Sequence, residues 1–173
     1  DFTRYRPTTS FVDGKRIIKV PNSTIRYIRT VNGPDLLLFR LLEPHAFSEV
    51  YILSILEILK KFDVHHYCQI GGMYDSVPHT RPLLVTGSKG GEPIGDCPAI
   101  TPPSSLTPYE GPTSAMYLFS DEMDRLGIER VSLMVHVPQY IGLEEDHTGA
   151  ASLLGALASV YPLPADLTID TAL

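Results

Sequence analysis

The chain has no tryptophan and only two cysteines in 173 residues, Cys68 and Cys97. Cys68 lies in an apolar run that reads as a core strand and Cys97 in a Pro/Gly-rich loop, which excludes a disulfide framework and fits a reducing compartment. Long hydrophobic runs are also missing. None approaches the roughly 18 residues of a membrane-spanning helix, and the longest candidate, Val50 to Phe62, is broken by Glu57, Lys60 and Lys61. Positive charge is scarce: 14 Lys and Arg against 20 Asp and Glu give a net charge of −6. That balance argues against nucleic acid or an anionic membrane as the main partner. No signal peptide or internal repeat is legible, and the cytoplasm is the expected location.

Motifs of catalysis are equally sparse. The sequence contains no GxSxG, and GSKGGE, starting at Gly87, lacks the GxxxxGK[ST] spacing of a phosphate loop. His65 and His66 are neighbours on a predicted strand, so they point to opposite faces and cannot easily share a metal. No cofactor and no metal are expected.

What is present is a hydrophobic content of 43%, enough for one domain with a sizeable core over residues 1–173. Thr9 to Val20 reads as a β-hairpin turning at Asp13-Gly14. Thr24 to Val31 reads as extended, Asn32 to Asp35 as a turn, and Leu36 to Leu42 as a strand covered on both faces. Apolar residues at spacings of three and four predict a helix over Phe47 to Phe62. A strand over His65 to Ile70 would complete a parallel β-α-β unit. Lys89 to Pro108 has no periodicity and reads as a long functional loop. A second helix is expected from Gly111-Pro112-Thr113 to a stop at Gly127, then a strand over Val131 to Val137. A third helix, with Asp146 or Thr148 as N-cap, should end before Pro162. This order indicates an α/β domain with a mainly parallel central sheet and flanking helices.

The chemistry concentrates in Gly71 to Ser88. Gly71 and Gly72 allow a sharp turn, and Asp75, His79, Thr80 and Arg81 follow, with Pro78 and Pro82 fixing the backbone around His79 to Arg81. Two readings stand. The first is a braced turn in which a buried Arg81 pairs with Asp75. The second is a site at a sheet rim, shared with Tyr109, Gly111, Pro112 and Thr113 before the second helix and with His136 and Tyr140 after the later strand. In that site the Gly111-Pro112 turn would offer N–H groups to an anion, and either histidine could move a proton.

PHTRP at residues 78–82, YEGPTS at 109–114 and HVPQY at 136–140 resemble, in order, the domain family of the second proteasome assembly chaperone, also catalogued as an ATP-grasp superfamily. Asp1-Phe2, Arg6-Pro7 and Glu43-Pro44 agree with it; Gln139 stands where relatives usually carry histidine. The resemblance implies a three-layer α-β-α fold like that of purine nucleoside phosphorylases, with a mainly parallel or mixed sheet, and an N-terminal β-α segment that this sequence lacks. It implies a non-catalytic, homo-oligomeric protein-binding module whose partners include proteasome-like subunits, contacted through the loop Lys89 to Pro108 and the tail after Pro164. The alternative is a protein that binds a nucleoside- or phosphate-type small molecule, or a hydrolase or phosphorylase-like enzyme, with its site at the sheet rim.

Overall fold

The computed structural model describes residues 6–31, 33–44, 46–102, 114–142 and 145–163. The chain divides into two compact units, Asp1–Phe47 and Ser48–Leu173.

In the first unit, β1 (Thr8–Val12) and β2 (Lys15–Lys19) form an antiparallel hairpin. Its turn residues Asp13 and Gly14 both have positive φ, 50° and 74°. This is the backbone that Asp-Gly tolerates and that matches the twist of two paired strands. β3 (Thr24–Ile28) pairs antiparallel with β4 (Leu36–Arg40). The turn between them is closed by Asp35, which accepts from the Thr30 backbone N–H at 3.0 Å and from the Tyr27 hydroxyl. The expectation that Leu36 onward is covered on both faces is corrected: no residue of β4 is fully buried. The expected parallel crossover to the strand after the first helix is also not among the pairings of the described residues, where β4 pairs with β3.

The second unit opens with α1 (Ser48–Lys61). It starts one residue later than the periodicity predicts because Phe47 has φ of 56°, outside the right-handed helical region. Ile52, Ile55, Leu56 and Leu59 form its buried stripe, while Val50 and Leu53 are exposed. The sheet is mixed, in the order β5-β8-β6-β7. β5 (His66–Asp75) runs parallel to β8 (Glu129–Pro138) over ten residue pairs. β6 (Val85–Lys89) is antiparallel to β8, and β7 (Glu92–Pro93) to β6.

β5 corrects a second expectation. Gly71 and Gly72 do not turn the chain; they lie inside the strand, opposite Met134 and Val135. A Cβ on Gly71 would meet the Met134 side chain at 3.3 Å, so glycine there answers a close approach and not a bend.

The core follows from alternation along β8. Val131, Leu133 and Val135 point to one face, where they pack with Val85, Ile100 and Ala156. Leu153, Leu157 and Val160 of α3 (His147–Val160) pack against the same cluster. On the other face Tyr67 of β5 meets Phe119, the first residue of α2 (Phe119–Arg125), at 6.3 Å between ring centroids. A short 3₁₀ turn, Ala115–Leu118, leads into α2, and Gly127 ends it with φ of 68°. Asp146 caps α3, its carboxylate accepting from the Gly149 N–H at 2.9 Å.

Leu133 is fully buried at the centre of this packing. Leu133→Ala should therefore cost about 2–5 kcal/mol in equilibrium urea unfolding of the chain. A loss below about 1 kcal/mol would show that the α3 face is not the principal core.

Candidate functional site

Because β5 and β8 run parallel and in register, they end together, with Asp75 opposite Pro138. Motif 78–82 lies beyond the end of β5 and motif 136–140 spans the end of β8, and two polar clusters form there on opposite sides of the sheet.

The first crosses three strands. The Asp75 carboxylate, on β5, lies 2.7 Å from His136 Nδ1, on β8. His136 Nε2 lies 3.0 Å from Thr86 Oγ1, on β6. The acceptor-only carboxylate requires the proton on Nδ1, so in the neutral ring Nε2 accepts from the Thr86 hydroxyl. Asp75 also accepts from the Ser76 backbone N–H at 2.6 Å. The bond from His136, and after it the one from Ser76, holds the Asp75 carboxyl below its ordinary range. The His136 side chain is only 12% exposed. A carboxylate, an imidazole and a hydroxyl in this order have the connectivity of an activated nucleophile. Here each group is the other's partner across neighbouring strands, and the chain of bonds ties β5, β8 and β6 together.

The second cluster borders a cleft of about 500 Å³ between the sheet and the start of α3. Val135 and Val137, which alternate with His136 and so point the other way, belong to its lining with Leu83 and Leu153. His79 and Arg81 also line it, as do Asp146, Thr148 and Gly149 at the head of α3. The Tyr140 hydroxyl accepts from the His79 backbone N–H at 2.9 Å and sits 2.8 Å from His79 Nδ1. The two rings meet edge to face, at 79°. The Tyr140 hydroxyl can donate to Nδ1 or accept from it, and in either tautomer Nε2 of His79 makes no hydrogen bond with a described residue.

The sequence therefore brings His79 to Tyr140 and Asp75 to His136, each pair across some 61 residues. It does not bring Asp75 to Arg81. That expected buried pair is corrected: Arg81 is exposed and makes no ion pair with a described residue, while Asp75 is engaged by His136. The reason is geometric, since Asp75 is still within the β5 ladder and meets His136 of the neighbouring β8 there. Thr80 is exposed. Tyr109, Gly111, Pro112 and Thr113 lie outside the described residues. Gln139, in the place of the usual histidine, donates to Ser76 Oγ at 3.3 Å.

Sequence reasoning missed Thr86, which lies in an apolar run with no spacing signal toward His136. It read Asp146 only as a helix cap, not as a wall of the cleft. Elsewhere, His66 and His65 take different carboxylates, Glu129 at 3.2 Å and Asp63 at 3.4 Å. Burial pushes the Cys68 thiol up to about 11, which makes it a poor nucleophile.

A family model described as the PAC2 family matches residues 1–171. No curated protein sequence matches the chain. Among solved structures, the chain is similar to a PAC2 family protein from Streptomyces avermitilis, with 25% identity and a TM-score of 0.73, covering 95% of this chain and 69% of that one. It is similar to a proteasome-assembly chaperone homologue from Mycobacterium tuberculosis, with 23% identity and a TM-score of 0.75 over 99% of this chain and 70% of the other. It is also similar to PbaB, an archaeal proteasome activator from Pyrococcus furiosus, at 12% identity and a TM-score of 0.67 over 92% and 69% of the two chains. The latter two likenesses concern the fold.

Two outcomes follow from the rim geometry. Arg81→Ala should leave stability within about 0.5 kcal/mol, as for an exposed residue, and a larger loss on urea unfolding would point to a partner that the described residues do not supply. Asp75, whose folded carboxyl titrates lower than the unfolded one, adds stability above the ordinary carboxylate range and loses it as pH falls through its folded value. Asp75→Asn should accordingly flatten the decline in unfolding free energy between neutral and acidic pH. Parallel curves for the two proteins would refute the His136 contact as the cause.

Proposed function

The chain belongs to the PAC2 family, and from that premise we propose that it is a non-catalytic protein-binding module of the proteasome-assembly-chaperone type. Its partners on this reading are proteasome-type subunits or a related protein, it acts as a homo-oligomer in the cytoplasm, and it folds as one domain of the three-layer, phosphorylase-like kind. The observation that carries the reading is the family match over 1–171, seconded by likeness of fold to a chaperone homologue and to a proteasome activator. The surface is compatible with it. α1 turns Val50 and Leu53 outward, at 61% and 59% exposure, while its opposite side is committed to the core. The cluster of Asp75, His136 and Thr86 at the rim has a bracing role here.

The test is capture of purified proteasome-type α-subunits by the immobilised chain, with sedimentation velocity at micromolar concentration beside it. The wild type should capture them and sediment as a closed oligomer. Leu53→Glu should weaken capture by about 30-fold, the equivalent of a hot spot of roughly 2 kcal/mol, and His79→Ala should leave it nearly untouched. A monomer that captures no subunit would overturn the reading.

A further inference from the structure

We infer that the cleft beside α3 is a binding site for a small organic monocarboxylate with an aliphatic or aromatic body. This goes beyond the protein-binding reading and does not depend on it.

Two features select an anion. Arg81, an exposed residue, lines the cleft and is in no ion pair with a described residue. His79 lines it too, and Tyr140 engages both its backbone N–H and its Nδ1, so the ring is held with Nε2 as its remaining polar atom, a donor in the tautomer whose Nδ1 accepts from the Tyr140 hydroxyl. A planar guanidinium fork and an imidazole nitrogen lining one cleft suit a carboxylate, which accepts through two oxygens.

Two more features select a single negative charge and an apolar body. Asp146 also lines the cleft, one carboxylate oxygen tied to the Gly149 N–H at 2.9 Å, and the whole chain carries a net charge of −6. Both disfavour a dianion such as a phosphate monoester, while one carboxylate can be matched by Arg81 alone. Away from these groups the lining is Leu83, Val135, Val137 and Leu153. A volume of about 500 Å³ is that of a site for a small ligand with a few placed polar groups.

The probes are phenylbutyrate, the uncharged phenylbutanol and phenyl phosphate, titrated calorimetrically into the full chain. Phenylbutyrate should bind saturably, with phenylbutanol weaker by roughly tenfold or more, the factor carried by one charge-assisted hydrogen bond. Arg81→Gln should remove that difference between the two. Ala150→Phe, which enlarges an exposed residue lining the cleft, should block both without lowering the midpoint of unfolding. No saturable binding of phenylbutyrate, equal binding of the alcohol, or full affinity in Arg81→Gln would overturn the site. Phenyl phosphate binding more tightly than phenylbutyrate would overturn the choice of carboxylate. Capture of α-subunits by Arg81→Gln at the wild-type level would support the separation of the two surfaces, and its loss would refute it.

Discussion

Strand β8 is held at both ends by polar side chains that reach the same two neighbours. At its start Glu129 accepts from Lys89 of β6 at 2.7 Å and contacts His66 of β5 at 3.2 Å. Near its end His136 bonds Asp75 of β5 and Thr86 of β6. Between these two ties run Val131, Leu133 and Val135, the residues on which α3 packs. A slip of one residue would turn the valines toward the wrong face and place Ser132, Met134 and His136 under α3. Apolar burial and both ties thus specify one register. That register in turn sets β5 and β8 to end side by side, and the meeting of the two motifs at the rim depends on it.

Elements whose cause is local were legible in the sequence. Asp13-Gly14 declares its turn because few other pairs accept two positive φ angles, and the stop at Gly127 has the same origin. The stripe of α3 and its cap at Asp146 need only the helical period and one side-chain oxygen. What was not legible depended on partners distant in the chain. Gly71-Gly72 reads as a turn until Met134 is known to crowd the strand. Arg81 looks like the natural mate of Asp75 until β8 delivers His136 to the same carboxylate. Leu36 to Arg40 has the composition of a buried strand, yet composition does not say which strand it will pair with.

The candidate site was legible in outline for a related reason. Prolines on either side of His79, Thr80 and Arg81 remove backbone freedom before any tertiary contact forms, so the motif announces a fixed loop without announcing its partners. Tyr140 then completes it, because a single hydroxyl takes the His79 N–H and fixes the imidazole. The hydrogen bond joins two motifs that the sequence shows only as separate words.

The two clusters differ in one respect that bears on their roles. Asp75, His136 and Thr86 exchange their hydrogen bonds among themselves and with Ser76, so the cluster is spent on holding strands together. His79 keeps one ring nitrogen and Arg81 its guanidinium without a described partner on the wall of a cleft whose remaining surface is mostly apolar. Polar groups in a fold stabilise it by satisfying one another, and a group left facing a cavity gains nothing for folding by remaining there. By that argument the face with Asp75 and His136 belongs to the architecture, and the face with His79 and Arg81 is where a ligand can still complete the bonding.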